Sequence, residues 1–503
     1  MPDRIGRRDF LKLAAFASIG MLIKQPSIKL RDGLGKPNIL VILFDALSAY
    51  HLDTYGYNRL TTPNLSRLLG RAIVYHNHYA AGNYTVTGAG SLLTGVLPWK
   101  HRALRFQDEV ADFYGKNNFF SAFNSYYKIT YSHNPHVVRF LSQFDASITN
   151  NIPYNRFLIS GGNFAQTTFE NDDDTANIAW SRTFIKNDDE VAYSLFLSEL
   201  YRKYNSVKIA GYEANFPRGL PKVWDDDNFL LEHVFDYLGR ELPKVPQPFL
   251  GYFHFLPPHK PYKTSHEFIN AFEGDGLPYI AKTQDPFAPV HSDKFMLKQR
   301  MEYDEFILYL DREFGKFFDL LDSSGALDNT IVVFTSDHGE LFERGIQGHI
   351  TPSLYQPVVR IPLMIFEPGR TERADIYERT SAVDMLPTLL HLAGEPPAKW
   401  SDGALLPPYG SPEKRNIYTV QAARNDPARP LEHFTIMMVK ENYKLAYYSG
   451  YPDELSDGEM VQLFDIEKDP EELIDLSKSK QGIASELLSE LRLKIKEVND
   501  PFI

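Results

Sequence analysis

An aspartate and a histidine stand side by side at Asp337-His338, where the apolar run Ile331-Val332-Val333-Phe334 gives way through Thr335-Ser336, and just before Gly339-Glu340. A carboxylate and an imidazole past a buried strand make a ligand pair for a divalent metal, and strand carboxyl ends are where open α/β sheets place active sites. The same residues also fit a simple turn, opened by Asp337 and completed by a positive φ at Gly339. Asp45 closes another apolar run, residues 38–44, in the same manner. A carboxylate there is either a helix cap or a metal ligand. Thr85 and Thr87 lie at the mouth of the stretch from Asn83 to Gly95, whose small residues and glycines read as a tight turn entering a helix. Such a helix start offers free N–H groups and the positive end of its dipole, which suits an anion; a threonine cap with packing glycines is the structural alternative.

These residues need strands and helices to hold them. The continuous apolar runs at 38–44, 249–253, 331–334 and 361–366 fit central strands covered on both faces. Between them, Phe306, Leu310, Phe314, Phe317 and Leu321 keep helical spacing, and Leu386, Leu389, Leu390 and Leu392 form a second helical face that stops at Gly394. Strands alternating with helices predict an α/β fold with a mostly parallel sheet. From about Pro412 the pattern becomes short and strand-like, with a final helix near 484–498, which predicts a smaller α+β unit over residues 411–503. The catalytic domain is expected over residues 36–410. Within it, residues 106–244 are rich in Asn, Tyr and Phe and read as an insertion that caps the site. The acidic runs Asp172-Asp173-Asp174 and Asp188-Asp189-Glu190 read as solvated loop surface.

Composition narrows the field. The 503 residues exceed the roughly 250–300 at which one core stops growing. A net charge of -12 and the lack of a basic stripe argue against nucleic acid as a partner. There is no cysteine, which removes disulfides, zinc–thiolate sites and a cysteine nucleophile together. Residues 1–35 read as a twin-arginine-type export signal and linker, with Arg7-Arg8-Asp9-Phe10-Leu11-Lys12 preceding a short apolar stretch. That stretch is too short to span a bilayer as a stable helix. Retained after export, it allows membrane association as an N-terminal anchor, so a periplasmic or otherwise extracytoplasmic location is expected.

Several segments, in order, resemble the sulfatase family of the alkaline phosphatase superfamily. They are residues 38–45, 85–95 and 335–340, Gly348-His349, Arg360-Ile361-Pro362-Leu363, residues 384–390 and residues 463–470. The resemblance covers roughly Lys36 to Leu476 and implies a central mixed sheet, a smaller C-terminal domain, and metal-assisted phosphoryl or sulfuryl transfer.

The departures from the family pattern point to the substrate class. Sulfatases make a formylglycine from Cys or Ser in a Cys/Ser-x-Pro-x-Arg segment. Here Thr85 takes the nucleophile's place, Thr87 that of the proline and Ala89 that of the arginine. A threonine cannot become formylglycine, because its β-carbon carries a methyl. Ala46 replaces the usual second aspartate, and the Gly-Lys-Trp-His segment finds only Ser125-Tyr126-Tyr127-Lys128. Threonine nucleophiles belong to the superfamily's phosphoethanolamine transferases, lipoteichoic acid synthases and nucleotide phosphodiesterases. Similarity to them implies Asp45, Thr85, Asp337 and His338 as metal ligands and Thr85 as nucleophile. It also implies catalytic roles for His349 and His259, the latter in Pro257-Pro258-His259-Lys260-Pro261-Tyr262. Lys100 and His101 fall near a further family motif. The expected cofactor is Mn, Zn, Mg or Ca, with one imidazole favouring Mn or Zn. The expected substrate is a phosphate mono- or diester, a lipid or glycan among the candidates. Sulfate ester hydrolysis without formylglycine and a binding protein without chemistry are the alternatives.

Overall fold

A computed structural model describes residues 35–160, 193–223, 227–277, 280, 282–289, 291–411 and 415–503. The twin-arginine-type segment and both acidic runs lie outside the described residues. Among the described residues, no helix is long and apolar enough to cross a membrane.

The first apolar run becomes strand β1 (Asn38–Phe44), buried along its whole length. The other strands of the large sheet are β2 (Ile73–Tyr79), β3 (Tyr127–Ser132), β4 (Asn150–Asn151), β5 (Phe249–Phe255), β6 (Thr330–Thr335), β7 (Leu363–Phe366) and β8 (Ala374–Ser381). They lie in the order β8-β2-β7-β6-β1-β5-β3-β4. Only β7 runs against its neighbours, β6 and β2. The α/β architecture expected from the alternating runs is the one observed.

Alternation along β1 explains why the run is apolar throughout. Leu40, Ile42 and Phe44 enter one core, with Phe306, Leu310 and Phe314 of the long helix Asp293–Ser323. Ile39, Val41 and Leu43 enter another, with Val86, Leu92, Leu386 and Leu389. A strand covered on both faces has no position left for a polar side chain until it ends.

The C-terminal unit is an antiparallel sheet of β9 (Ile417–Gln421), β10 (Phe434–Lys440), β11 (Tyr443–Ser449) and β12 (Glu459–Asp465). The helix Gln481–Asn499 packs on it through Leu487, Leu491 and Ile495. Strand β3 and the helix Pro135–Gln143 lie inside the stretch read from sequence as an insertion, yet β3 pairs in parallel with β5 and is part of the main sheet, one strand in from its edge. The reading of residues 106–244 as a cap is corrected to that extent. Tyr127, Lys128 and Thr130 gave this strand none of the hydrophobicity expected of a central position, although its last four residues are fully buried.

Candidate active site

Strand register places the site. Leu43 of β1 pairs with His254 of β5 and Thr335 of β6, and His254 pairs in turn with Ser132 of β3. Two residues beyond that row, the chains leave the sheet at Asp45, Asp337 and Asn134. Three separate strand ends therefore deliver two carboxylates and an amide to one place, at the carboxyl edge where such sheets open.

Helix α1 (Thr85–Thr94) brings the hydroxyl. All of its residues are buried, and Gly95 ends it with a φ of 72°. A Cβ on Gly88 would lie 2.4 Å from the Asp337 carbonyl oxygen, so only glycine lets this helix lie against the Asp337 loop. Thr85 opens the helix, with Tyr84 as an extended cap residue that contributes no side-chain cap. The Thr85 hydroxyl donates toward Asp45 Oδ2 at 3.4 Å, and Asn134 Nδ2 donates to Thr85 Oγ1 at 3.2 Å.

The two oxygens of Asp45 have different surroundings. Oδ2 accepts from Asn134, from Thr85 and from His254 Nε2 at 3.3 Å, the tautomer set by Tyr252 O–H donating to His254 Nδ1. Oδ1 is buried without a partner. Asp337 repeats the pattern. Its Oδ1 accepts the Ala46 and His338 N–H groups at 3.2 and 3.0 Å, while Oδ2 has no partner. Ala46 reaches Asp337 by turning into the left-handed region at φ 61°. His338 Nδ1 donates to the Gly339 carbonyl at 2.9 Å, leaving Nε2 buried and unpartnered. His338 Nε2 lies 3.5 Å from both Asp45 Oδ1 and Asp337 Oδ2.

Buried polar atoms are rarely left without a hydrogen bond. Here three of them, two anionic and one imidazole lone pair, converge within 4.8 Å in a group able to hold a metal ion. Oxygen and one nitrogen donor, each fixed by a hydrogen bond through its other atom, fit a divalent ion of the Mn, Zn or Mg type. The electrostatics agree. Burial pushes the Asp337 carboxyl up, and the Asp45 charge adds to it. Burial also opposes the Asp45 charge, but the His254 hydrogen bond and the neighbouring His259 and His338 outweigh it and hold that carboxyl well below its usual range. Burial lowers the His338 imidazole, which keeps its lone pair free.

His349 and His259 stand beside the cradle. The His349 ring lies 4.3 Å from that of His338 and 5.1 Å from that of His259, centroid to centroid. His349 Nδ1 faces the Glu340 carboxylate at 3.2 Å, and Asn83 Nδ2 holds the His349 carbonyl at 2.8 Å, tying this loop to the Thr85 turn. Burial lowers His349 well below the usual histidine range and raises Glu340 to about 7. His259 Nδ1 donates to the Lys260 carbonyl at 2.7 Å, so its Nε2 is the atom left to act.

The structure thus gathers Asp45, Thr85, Asp337, His338, His349 and His259, the residues singled out from sequence. Others lie elsewhere. His101 is buried between the Ala103 N–H and the Ser91 hydroxyl, and Lys100 pairs with Asp402. Lys128, second in β3, sits at the strand's opposite end, so the segment 125–128 does not stand where the sulfate-binding motif was sought. Asn134, at the proper end, was missed, and so was His254. The available signals were a histidine inside the otherwise apolar Phe249–Phe255 and an Asn-Pro pair starting a helix.

Known proteins share this arrangement of chain. The sequence model of the family described as sulfatase matches residues 37–395. The choline-sulfatase of Rhizobium meliloti (strain 1021) is 26% identical over 89% of this chain and 84% of its own length. The arylsulfatase of Clostridium perfringens (strain 13 / Type A) is 24% identical over 89% of this chain and 91% of its own. Among solved structures, the phosphonate monoester hydrolase of Agrobacterium radiobacter superposes with a TM-score of 0.66 at 17% identity, covering 92% of this chain and 96% of that one.

Proposed function

Because the chain belongs to the sulfatase family, we propose that it is a metal-dependent hydrolase or transferase of phosphate esters with Thr85 as nucleophile. The observation that carries the reading is the Thr85 hydroxyl at the start of α1, hydrogen-bonded to Asp45 and Asn134 beside three unpartnered ligand atoms. A threonine offers an alcohol and nothing else, and an alcohol attacks phosphorus readily only when its proton has an acceptor and its charge a partner. A divalent ion held by Asp45, Asp337 and His338 supplies positive charge at the nucleophile and the transferring group.

The chain's own residues do the rest. Asp45 Oδ2, the acceptor of the Thr85 hydroxyl, is positioned to draw off its proton. Asn134 orients Thr85 Oγ1 and leaves one lone pair for attack. The Thr85 Oγ–P bond forms as the bond from phosphorus to the leaving oxygen breaks, giving a phosphothreonine and an alcohol. His259, through Nε2, donates the proton that the leaving oxygen takes up, and His349 stands beside it against the transferring group. Glu340 fixes the His349 ring for this contact. Water or an acceptor alcohol then displaces Thr85 from phosphorus and restores the hydroxyl.

Sulfate ester hydrolysis is the second reading, favoured by the likeness to choline-sulfatase along most of both chains. Matched aryl phosphodiester and aryl sulfate substrates separate the two. The phosphate reading expects faster turnover of the phosphodiester, a phosphothreonine at residue 85 by mass spectrometry after rapid quench, and a loss of about 10³-fold or more in Thr85→Ala. Preferred turnover of the sulfate, retained in Thr85→Ala, would overturn it in favour of the second reading.

A further inference from the structure

A second cavity of about 520 Å³ opens beside the loop that follows β1, lined among others by Tyr50, Tyr57, Lys282, Arg300, Arg360 and Glu471. None of its lining residues belongs to the metal cradle. One aromatic layer parts the two sites: the His51 ring on the cavity wall packs edge-on against Tyr303 at 4.9 Å, and Tyr303 O–H donates to the Ala46 carbonyl.

The charges of this cavity are unevenly settled. Lys282 is almost fully buried and pairs with both Glu343 and Glu471, at 2.7 and 3.0 Å. Arg300 and Arg360 have no carboxylate partner among the described residues. Arg300 Nε donates to Tyr57 O–H and its guanidinium lies over the Tyr57 ring, 5.3 Å from the centroid. Arg360 Nε donates to the His76 carbonyl and its guanidinium lies over Tyr50 at 5.4 Å. Asp304, which feels the Arg300 charge, is already held by His51, Tyr57 and Arg59. Both guanidinium groups are half-buried on the wall of one cavity in a chain of net charge -12, and an acidic ligand would give them the partner the chain does not.

The remaining wall narrows the ligand. The Tyr50 and Tyr57 hydroxyls are spent on the Pro470 carbonyl and Asp304, so these residues present rings rather than donors. Glu343 lies between Lys282 and Arg344, with its second oxygen buried, whereas Glu471, shared with Lys282 and about a third exposed, keeps an oxygen able to accept from hydroxyls. A sugar acid brings both the anion for the arginines and a hydroxyl for that oxygen. We propose that this cavity is a second binding site, for an anionic sugar unit whose acidic group pairs with Arg300 and Arg360 and whose hydroxyls reach Glu471. It does not depend on the chemistry assigned to Thr85.

Calorimetric titration with glucuronate, with glucose as the neutral control, tests it. Saturable glucuronate binding is expected, equal in wild type and Thr85→Ala, and weakened about tenfold or more in Arg300→Gln, the loss of a charged hydrogen bond. No saturable binding, equal affinity for glucose, or unchanged affinity in a folded Arg300→Gln would overturn the proposal. If that variant fails to fold, soaked wild-type crystals decide. Glucuronate with its carboxylate against Arg300 and Arg360 supports the site; glucuronate only at the metal cradle, or none, refutes it.

Discussion

Two buried clusters of charge in this molecule are built on opposite principles. At the junction of the C-terminal sheet and the catalytic layer, Lys444 of β11 pairs with Glu472, both side chains 1% exposed. Lys444 also donates to the Leu354 carbonyl, and the second oxygen of Glu472 accepts the Gln356 N–H at 2.8 Å. Opposite charges meet and their outward atoms are hydrogen-bonded, so this cluster is complete as it stands. The cradle of Asp45, Asp337 and His338 is equally buried, but among the described residues no lysine or arginine pairs with its two carboxylates, and it leaves an atom of each residue unpartnered. Burial alone does not mark a functional site. What marks it is burial with a charge and a set of lone pairs that only something from outside can satisfy.

Breaking each cluster should give opposite results. Asp337→Asn keeps the oxygen that accepts the Ala46 and His338 N–H groups but removes a charge the cradle cannot settle by itself. Its kcat/KM should fall by about 10³-fold or more, as the charge stabilisation of several kcal/mol from the ion is lost. In the presence of chelator its melting temperature should equal or exceed that of wild type. A metal-free variant less stable than metal-free wild type would place the cradle in the same class as the Lys444–Glu472 pair. Glu472→Ala should do the reverse. A stranded buried lysine costs about 3–5 kcal/mol, read as a lower urea midpoint, while turnover per folded molecule is retained.

The contrast also separates what the sequence discloses from what it conceals. Asp45, Asp337 and His338 are legible because each follows an apolar run, where a polar residue has no structural reason to sit unless it caps or binds. Thr85 is legible because glycines and small residues announce a helix that must approach something closely; the partner at Gly88 is the Asp337 carbonyl. Asn134 was hard to read, since the strand that aims it, Tyr127–Ser132, carries a lysine and two tyrosines and lacks an apolar signature, whereas His254 had a signal, a lone histidine inside an apolar strand. The Lys444–Glu472 pair could not be found either, because its members are 28 residues apart and joined only by tertiary packing.

Metal itself sharpens the comparison from the other side. An ion that binds the folded cradle and not the unfolded chain should stabilise by about 2.7 kcal/mol at roughly 100 times its Kd. Chelation should therefore lower the melting temperature of wild type, leave Asp337→Asn almost unmoved, and act on Glu472→Ala as fully as on wild type. Equal sensitivity of Asp337→Asn to chelator would mean that the ion sits elsewhere.

The smallest effect concerns a buried carboxylate between these extremes. Asp311, on the long helix Asp293–Ser323, accepts the Asn64 and Leu65 N–H groups at 2.8 Å each, with no cation paired to it among the described residues and no unpartnered atom. Burial, aided by nearby Asp53, raises its carboxyl to about 6 despite those donors. A carboxyl raised in the folded state binds its proton more tightly there than in the unfolded chain. Its contribution is therefore fully present below the unfolded value of about 4 and fades as the pH rises through about 6. Relative to Asp311→Asn, which cannot titrate, wild type should gain stability of order 1 kcal/mol between pH 6 and pH 4, measured by urea unfolding at matched ionic strength. A flat difference across that range would mean that the donated N–H groups fully offset burial, and Asp311 would then belong with the completed cluster.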